Sequence, residues 1–150
     1  MRTAGGISAP FTVGLTGVTS VADSGTAADT NQASANPGQA ITLTGTGLST
    51  ATDVLLRYRD SGAGDLRMVL LNPSAAAADG TSATLTVPNY ANGAFTLQVL
   101  GASAQPLLQI VPMVMGFDVS GGNLYLAGKG FLEGMSRSLL KLADRAPLFW

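Results

Sequence analysis

A short strand pattern closed by two glycines occurs twice in this chain and constrains its fold more than any other feature. Residues 38–48 read GQAITLTGTGL, and residues 122–131 read GNLYLAGKGF. Ile41 and Leu43 alternate with threonines, and Leu124 and Leu126 alternate with Tyr125 and Ala127, which is the period of a strand with one buried face. Gly45 and Gly128 are 83 residues apart, and the second glycine of each pair has the same spacing. The pattern predicts one β building block that starts twice in tandem.

The composition favours an all-β chain and argues against several classes of function. Only 11% of the residues are charged, whereas 46% are hydrophobic, and the formal net charge is −1. This balance gives no electrostatic basis for binding nucleic acid or an anionic membrane. Abundant threonine, valine and glycine are typical of strands joined by tight turns. No stretch reaches the roughly 18 consecutive apolar residues of a membrane-spanning helix.

The chain contains no cysteine, a composition compatible with both cytosolic and exported proteins. Its first ten residues include one arginine but no apolar run, so we do not interpret them as a signal peptide. Any export signal is therefore expected upstream of this segment, in a longer parent chain.

Strands and turns follow one another at the spacing expected of a β-sandwich. Alternating apolar residues predict strands at 53–59, 66–71 and 81–87, then an inward row of Phe95, Leu97 and Val99, and a more continuously apolar strand at 106–114. Turns rich in Gly, Asn and Pro separate these strands, and residues 75–80 are interpreted as a loop.

These patterns divide the chain into three parts. Residues 1–15 are interpreted as a lead-in or the tail of an upstream unit, residues 16–112 as one complete domain, and residues 113–150 as the start of a second, truncated repeat. We therefore expect an all-β fold, a β-sandwich made of one complete repeat and a partial flanking repeat.

An overlay of the chain on itself supports the repeat. The segment from Pro10 matches the segment from Pro106 at an offset of 96 residues, which places Leu15 on Val111. An insert of 13 residues in the first copy, residues 26–38, reconciles this offset with the spacing of 83. A rival overlay at an offset of 84 covers fewer positions.

The end of the chain departs from the repeat. Residues 134–145 place Met135, Leu139 and Leu142 at roughly helical spacing, with basic residues between them. One interpretation is a truncated or frame-shifted fragment. The other is a short amphipathic C-terminal helix that covers the exposed edge of an incomplete sheet.

The residue inventory argues against catalysis. Without histidine and cysteine the chain cannot form a Ser-His-Asp triad, a Cys-His pair, or a thiolate or imidazole metal site. Glu133 is its single glutamate, so a pair of acid–base carboxylates would need two aspartates brought together by folding. We therefore expect no catalytic residue, no cofactor and no enzymatic activity.

Loop residues supply the remaining candidates for a binding site. Asp23, Asp29 and Asn31 offer oxygen ligands suited to Ca²⁺, but their spacing matches no calcium loop. A solvated loop is the simpler interpretation, so no metal site is assigned. Tyr90 is the one loop aromatic suited to stacking on a sugar, and its alternative role is packing over the end of the sandwich.

Three arginines lie on the strands predicted at 53–59 and 66–71. Arg57, Arg59 and Arg67 either form a small basic patch or pair across strands with aspartates such as Asp60 and Asp65. The pairing interpretation is the simpler one, because charged residues on a wet sheet face commonly pair in this way.

The glycine-closed motifs resemble those of the IPT/TIG family of immunoglobulin-like domains. In that family a threonine- or leucine-rich strand leads into a G-x-G-[FL] turn, as it does twice here. A strand ending in Val-Pro follows, as in residues 85–88 (LTVP), and then a Gly-x-[YF]-x-[LV]-x-Val strand, as in residues 93–99 (GAFTLQV). Residues 35–38, 107–112 and 130–134 are similar to tandem repeats of very large bacterial surface or secreted proteins.

The resemblance covers residues 16–133 and implies an extracellular or cell-surface location. It implies an immunoglobulin-like fold and a non-enzymatic spacer or adhesin-stalk module, whose partners are neighbouring repeats of the same chain and also extracellular protein or glycan. Two alternatives stay open: a carbohydrate- or protein-binding module, and an accessory domain of a secreted enzyme.

Overall fold

The computed structural model describes residues 2–3, 5–7, 12–59 and 65–131, and in these residues it contains strands and no helix. The strands are β1 (Arg2–Thr3), β2 (Gly6–Ile7), β3 (Gly14–Thr19), β4 (Ala33–Ala35), β5 (Ala40–Thr46), β6 (Val54–Arg59), β7 (Leu66–Leu71), β8 (Ala75–Ala76), β9 (Ser82–Thr86), β10 (Ala94–Thr96), β11 (Gln98–Val99), β12 (Leu107–Ile110), β13 (Met113–Ser120) and β14 (Asn123–Lys129). The prediction of an all-β chain is confirmed. The alternatives for residues 134–150 lie outside the described residues.

The strands of the central part form three sheets. One is four-stranded and antiparallel, in the order β3-β5-β9-β8. The other two have the orders β10-β12-β4 and β11-β6-β7, and only the pairing of β12 with β4 is parallel. The hairpins β1–β2 and β13–β14 are separate two-stranded sheets.

A single apolar cluster connects the three central sheets, an arrangement consistent with a β-sandwich. The cluster consists of Leu15, Ala35, Ile41, Leu43, Leu48, Val54, Leu56, Ala83, Leu85, Val87, Ala91, Leu97, Val99, Leu108 and Ile110. In β5, Ile41 and Leu43 are buried whereas Thr42 is exposed, as the alternating pattern predicts. Leu15 belongs to the core although it lies in the segment interpreted as a lead-in.

The strand predicted at 106–114 is two strands rather than one. β12 ends at Ile110 and β13 starts at Met113, so Val111 and Pro112 form a link of two residues. Pro112 has no N–H with which to continue a ladder, which explains the interruption. The apolar row of Phe95, Leu97 and Val99 is likewise divided, because β10 pairs with β12 while β11 pairs with β6.

Two short strands lie in segments predicted to be loops. β4 lies within residues 26–38 and pairs in parallel with β12. β8 lies within residues 75–80 and pairs with β9. β4 is Ala-Ser-Ala and β8 is Ala-Ala, so neither shows the apolar alternation by which a strand is predicted from sequence.

The antiparallel pairs β3–β5 and β13–β14 have the same register. We refer to them as the first and second hairpins, although β4 lies between β3 and β5 in sequence. Each has a bulge, between Leu15 and Gly17 in β3 and between Val114 and Gly116 in β13. The paired positions equate Leu15 with Val114, at an offset of 99 residues. The predicted offset of 96 is wrong by three. Apolar residues recur every third position in both segments, so a slip of three keeps apolar side chains matched.

Candidate functional site

The glycine pair that closes each hairpin has a separate structural role at each position. A Cβ on Gly45 or on Gly128 would overlap a backbone carbonyl oxygen of the neighbouring strand, so the two backbones meet where only glycine fits. The second glycine has a positive φ in both hairpins, 65° at Gly47 and 81° at Gly130. The two turns therefore share a backbone conformation as well as a sequence.

The link between β12 and the second hairpin is fixed by hydrogen bonds on both sides. The Val111 N–H donates to the Ala35 carbonyl at 2.9 Å, and the Val111 carbonyl accepts from the Asn36 side chain at 2.9 Å. Val111 is only 5% exposed, and a Cβ on Gly25 would lie 2.8 Å from its Cγ1. Pro112 restricts the conformation of the residue before it. The link thus lies against the main unit, β3 to β12, and has little freedom.

Asn36 lies at the centre of the hydrogen bonds of this region, because both the oxygen and the nitrogen of its buried side-chain amide are bonded. Its Nδ2 donates to the carbonyls of Ser24 and Val111, each at 2.9 Å, and its Oδ1 accepts from the Ser24 N–H at 2.7 Å. The Asn36 N–H donates to Gln39 Oε1 at 2.8 Å. One side chain therefore connects the loop after β3 to the link before β13.

The turn of the second hairpin contacts the end of the main unit. Lys129 Nζ donates to Asn89 Oδ1 at 2.8 Å. A Cβ on Gly130 would lie 3.0 Å from Pro37 Cγ and 3.1 Å from Pro112 Cα. We call this region, with Asn36 and Val111, the joint. It consists of the link, the Asn36 amide and the contacts of the glycine turn.

The candidate calcium ligands lie in a loop whose backbone is bonded by glutamine side chains. The Asp29 backbone forms two hydrogen bonds with the Gln109 side chain, at 2.9 and 2.7 Å, and its Oδ1 accepts from the Asn31 N–H at 2.9 Å. The Asp23 N–H donates to Gln39 Oε1 at 3.2 Å. No group of three acidic residues able to hold a metal occurs within the described ranges. The amide side chains of Gln39 and Gln109 therefore hold the backbone of this loop.

The three arginines do not form one patch. Arg57 pairs with Met68 across β6 and β7, whereas Arg67 pairs with Tyr58. Successive positions of a strand point to opposite faces, so Arg57 and Arg67 lie on different sides of the sheet. The side chain of Arg59 and residues Asp60 and Glu133 lie outside the described part of the chain, and Asp65 is exposed.

Tyr90 is 48% exposed and its ring packs against Tyr58, with centroids 4.7 Å apart and the planes tilted by 45°. Desolvation, and secondarily the nearby Tyr58, raises the pKa of the Tyr90 hydroxyl above 10.0. Stacking on a sugar and packing over the end of the sandwich are both compatible with this position, because one part of the Tyr90 ring packs on Tyr58 and the other faces solvent.

A groove of about 420 Å³ next to Gly47 contains one acidic residue, Asp79. Asp79 Oδ1 accepts from the Thr81 N–H at 3.0 Å and from the Thr81 hydroxyl at 2.7 Å. These bonds, the backbone bond first, lower the pKa of Asp79 below its ordinary 3.8. The groove holds a capped turn and no nucleophile–base pair.

We expect the Asp79→Asn variant to lose a pH-dependent part of the stability. Because the folded-state pKa lies below the unfolded value, the carboxylate stabilises the fold above pH 3.8, and the effect disappears as pH falls through the lowered pKa. Urea midpoints of both proteins between pH 2 and 6 should therefore differ at the upper end and converge at the lower end. Thr81→Val, which removes one donor, should show a smaller difference of the same sign.

No protein-family model, curated protein or solved structure matches this chain. Among the described residues there is no helix long and apolar enough to cross a membrane.

Proposed function

We propose that the chain is a non-enzymatic, immunoglobulin-like spacer from a long repetitive bacterial cell-surface or secreted protein of the IPT/TIG type. The observation that carries the proposal is the geometry common to the two hairpins. Register, bulge, close backbone approach and positive-φ glycine recur on either side of a link of two residues. Such recurrence is the signature of a tandem array of small domains.

The sheet order supports the immunoglobulin-like part of the proposal. In immunoglobulin domains, strands A, B, E and D form one sheet, and strands C, F and G the other. The order β3-β5-β9-β8 corresponds to A-B-E-D. On the other side, β10 pairs with β12 and β11 pairs with β6, so the interrupted strand β10–β11 takes the place of F between G and C. On this basis the second hairpin is the A–B pair of a following domain.

A spacer acts by holding neighbouring domains in a fixed orientation, and the joint is the part of this chain that restricts the orientation. A long flexible linker allows neighbouring domains to sample many orientations. Here Val111 is hydrogen-bonded at both its backbone groups, and Gly130 lies against Pro37. The partners of each unit are its neighbouring repeats, and the orientation of one on the next sets the reach of whatever the array presents outside the cell.

A narrow distribution of distances across the joint is the expected result for such a spacer. The chain has no cysteine, so the variant Thr86→Cys/Ser120→Cys takes two spin labels at exposed sites of the main unit and second hairpin. Pulsed electron–electron double resonance between the two labels should give one narrow distance peak. Gly130→Ala should broaden or shift it, because the new Cβ would lie 3.0 Å from Pro37 Cγ.

Gly101→Ala is the matched control for this substitution. Its φ of 94° is positive like that of Gly130, but a Cβ there meets no atom within 4 Å, and it does not lie next to either spin label in sequence. It carries the same backbone strain without touching the joint, so the peak should keep its position. A broad distribution in the unsubstituted chain would contradict a fixed spacer, as would equal broadening by both variants.

A binding module is the second candidate, and the half-exposed ring of Tyr90, which packs on Tyr58, favours it. A half-exposed aromatic ring held by a second ring is suited to stacking on a sugar or a protein side chain. Glycan-array binding that disappears in Tyr90→Ala would establish this function over a passive spacer. The sequence of the surrounding gene distinguishes a tandem array from an accessory domain of a secreted enzyme. Many copies of the unit at this spacing favour the array, and one copy beside a catalytic domain favours the accessory role.

A further inference from the structure

The second hairpin has an apolar face that none of the described strands covers. Phe117 pairs with Leu126 and Val119 pairs with Leu124, so these four side chains share one side of the hairpin. Phe117 is 75%, Val119 59% and Leu126 53% exposed, and no charged residue lies among them. We call this side the open face.

The same face of the first hairpin is a core face. At the spacing of 83 residues, Leu126 corresponds to Leu43 and Leu124 to Ile41, which are 0% and 2% exposed. Phe117 corresponds to Val18 by the strand register, and Val18 packs on the core. The open face therefore carries the side chains of a sandwich interior.

Within the described residues, the second hairpin also has no strand on the edge where the first hairpin has β9. β5 pairs with β3 on one side and with β9 on the other. Within the described residues β14 pairs with β13 alone. A two-stranded hairpin is marginally stable in water without further strands, and an open edge of this kind is a template for another strand.

The register of β9 on β5 indicates what would complete the edge. Ile41 faces Leu85 and Leu43 faces Ala83 in that antiparallel pair. Transferred to β14, a strand with the pattern of β9 places its leucine opposite Leu124 and its alanine opposite Leu126. The polar residues between them would point away from the open face, as they do in β9.

We propose that the free edge of β14 and the open face bind an extended β-strand of the β9 type, donated by a further repeat unit. The proposal rests on the repeat structure inferred above and adds the site, the partner and the register. Main-chain hydrogen bonds to β14 supply the affinity, and the alternating apolar residues supply the specificity. A helix or a small ligand fits less well, because neither satisfies the row of backbone groups along an open edge.

The test supplies the strand within the chain itself. The sequence of residues 81–88 is appended to the 150-residue chain through a flexible Gly/Ser linker, which gives an effective concentration on the order of millimolar. Amide hydrogen exchange is then followed by NMR. The amides of Leu124 and Leu126 face the free edge, as those of Ile41 and Leu43 face β9, and should exchange about tenfold more slowly, or slower still, than in the unmodified chain. Amides of the main unit serve as the internal reference for folding.

The matched control is the same appended strand with Ala83→Pro in the donor, because the backbone of Ala83 faces β5 in the parent sheet whereas that of Thr84 faces β8. Proline removes a ladder donor and is excluded from paired strands, while tether and apolar content are unchanged. Equal protection by both donors, or by neither, would overturn the proposal.

Protection of the Leu124 and Leu126 amides already present in the unmodified chain would also overturn it. Light scattering would then assign the cover to a second copy or to residues 132–150. None of these outcomes bears on the distance measurement across the joint, so this proposal and the spacer function can fail separately.

Discussion

The Gly45→Ala variant is expected to lose about 3 kcal/mol of unfolding free energy. The new Cβ would overlap the carbonyl oxygen of Gly14, so β3 and β5 must move apart where the bulge sets their register. Leu15, next to that contact, is 3% exposed and would be drawn out of the core. Urea unfolding followed by far-ultraviolet circular dichroism measures the loss.

Gly128→Ala is the matched variant in the second hairpin. Its Cβ would overlap the corresponding carbonyl oxygen of Met113, so the local conflict is the same. The second hairpin does not contribute to the apolar cluster of the main unit, so the main transition should shift by no more than about 0.5 kcal/mol. Exchange of the β14 amides should accelerate instead. An equal loss in the two variants would show that the chain unfolds as one cooperative body and would contradict a division at the joint.

Much of the strand content was predictable because alternation records which side of a strand is buried. Ile41 and Leu43 in β5, and Ala83 and Leu85 in β9, alternate with threonine or serine and are buried as expected. The two glycine turns were recognisable for a related reason. A close backbone approach and a positive φ both select glycine strongly enough to mark the sequence.

A short connection that ends at Pro112 is readable from sequence, since proline restricts the residue before it. The hydrogen bonds of the joint were not predictable, because they are made by residues that sequence patterns assign to loops. Asn36 looks like an ordinary turn residue before Pro37, yet its amide reaches Val111 across 75 positions of sequence. The Gln109 side chain bonds the Asp29 backbone over 80 positions. Such hydrogen bonds form because the fold brings two distant segments together, so the local sequence around either residue does not predict them. The Asn-Pro-Gly triplet is the only local signal at this place, and it predicts a turn.

The repeat offset shows the limit of apolar matching in a different way. A slip of three residues kept Phe11, Leu15 and Val18 on apolar partners, so their pattern could not separate an offset of 96 from one of 99. The bulge between Leu15 and Gly17, and its counterpart in β13, determine the register through backbone hydrogen bonds. A bulge places two residues of one strand opposite one of the other, and it has no strong signature in side-chain type.

Asn36→Ala is expected to lower the unfolding free energy by about 2 to 3 kcal/mol and to loosen the joint. The substitution removes three hydrogen bonds and leaves the Val111 carbonyl buried without its partner. Exposed Ser24 regains water at its freed groups, so most of the loss comes from Val111. Denaturant unfolding gives the stability change, and the spin-label pair at positions 86 and 120 gives the change at the joint.

Asn31→Ala is the control, since Asn31 is an exposed asparagine of the same loop whose bond to Asp29 uses the backbone N–H. It should leave the unfolding free energy within about 0.5 kcal/mol and the distance peak unchanged. The informative case is a destabilised Asn36→Ala protein that keeps the narrow peak. Asn36 would then hold the loop after β3 without restraining the link, and the stiffness of the joint would have to come from Gly130 and Pro112 alone.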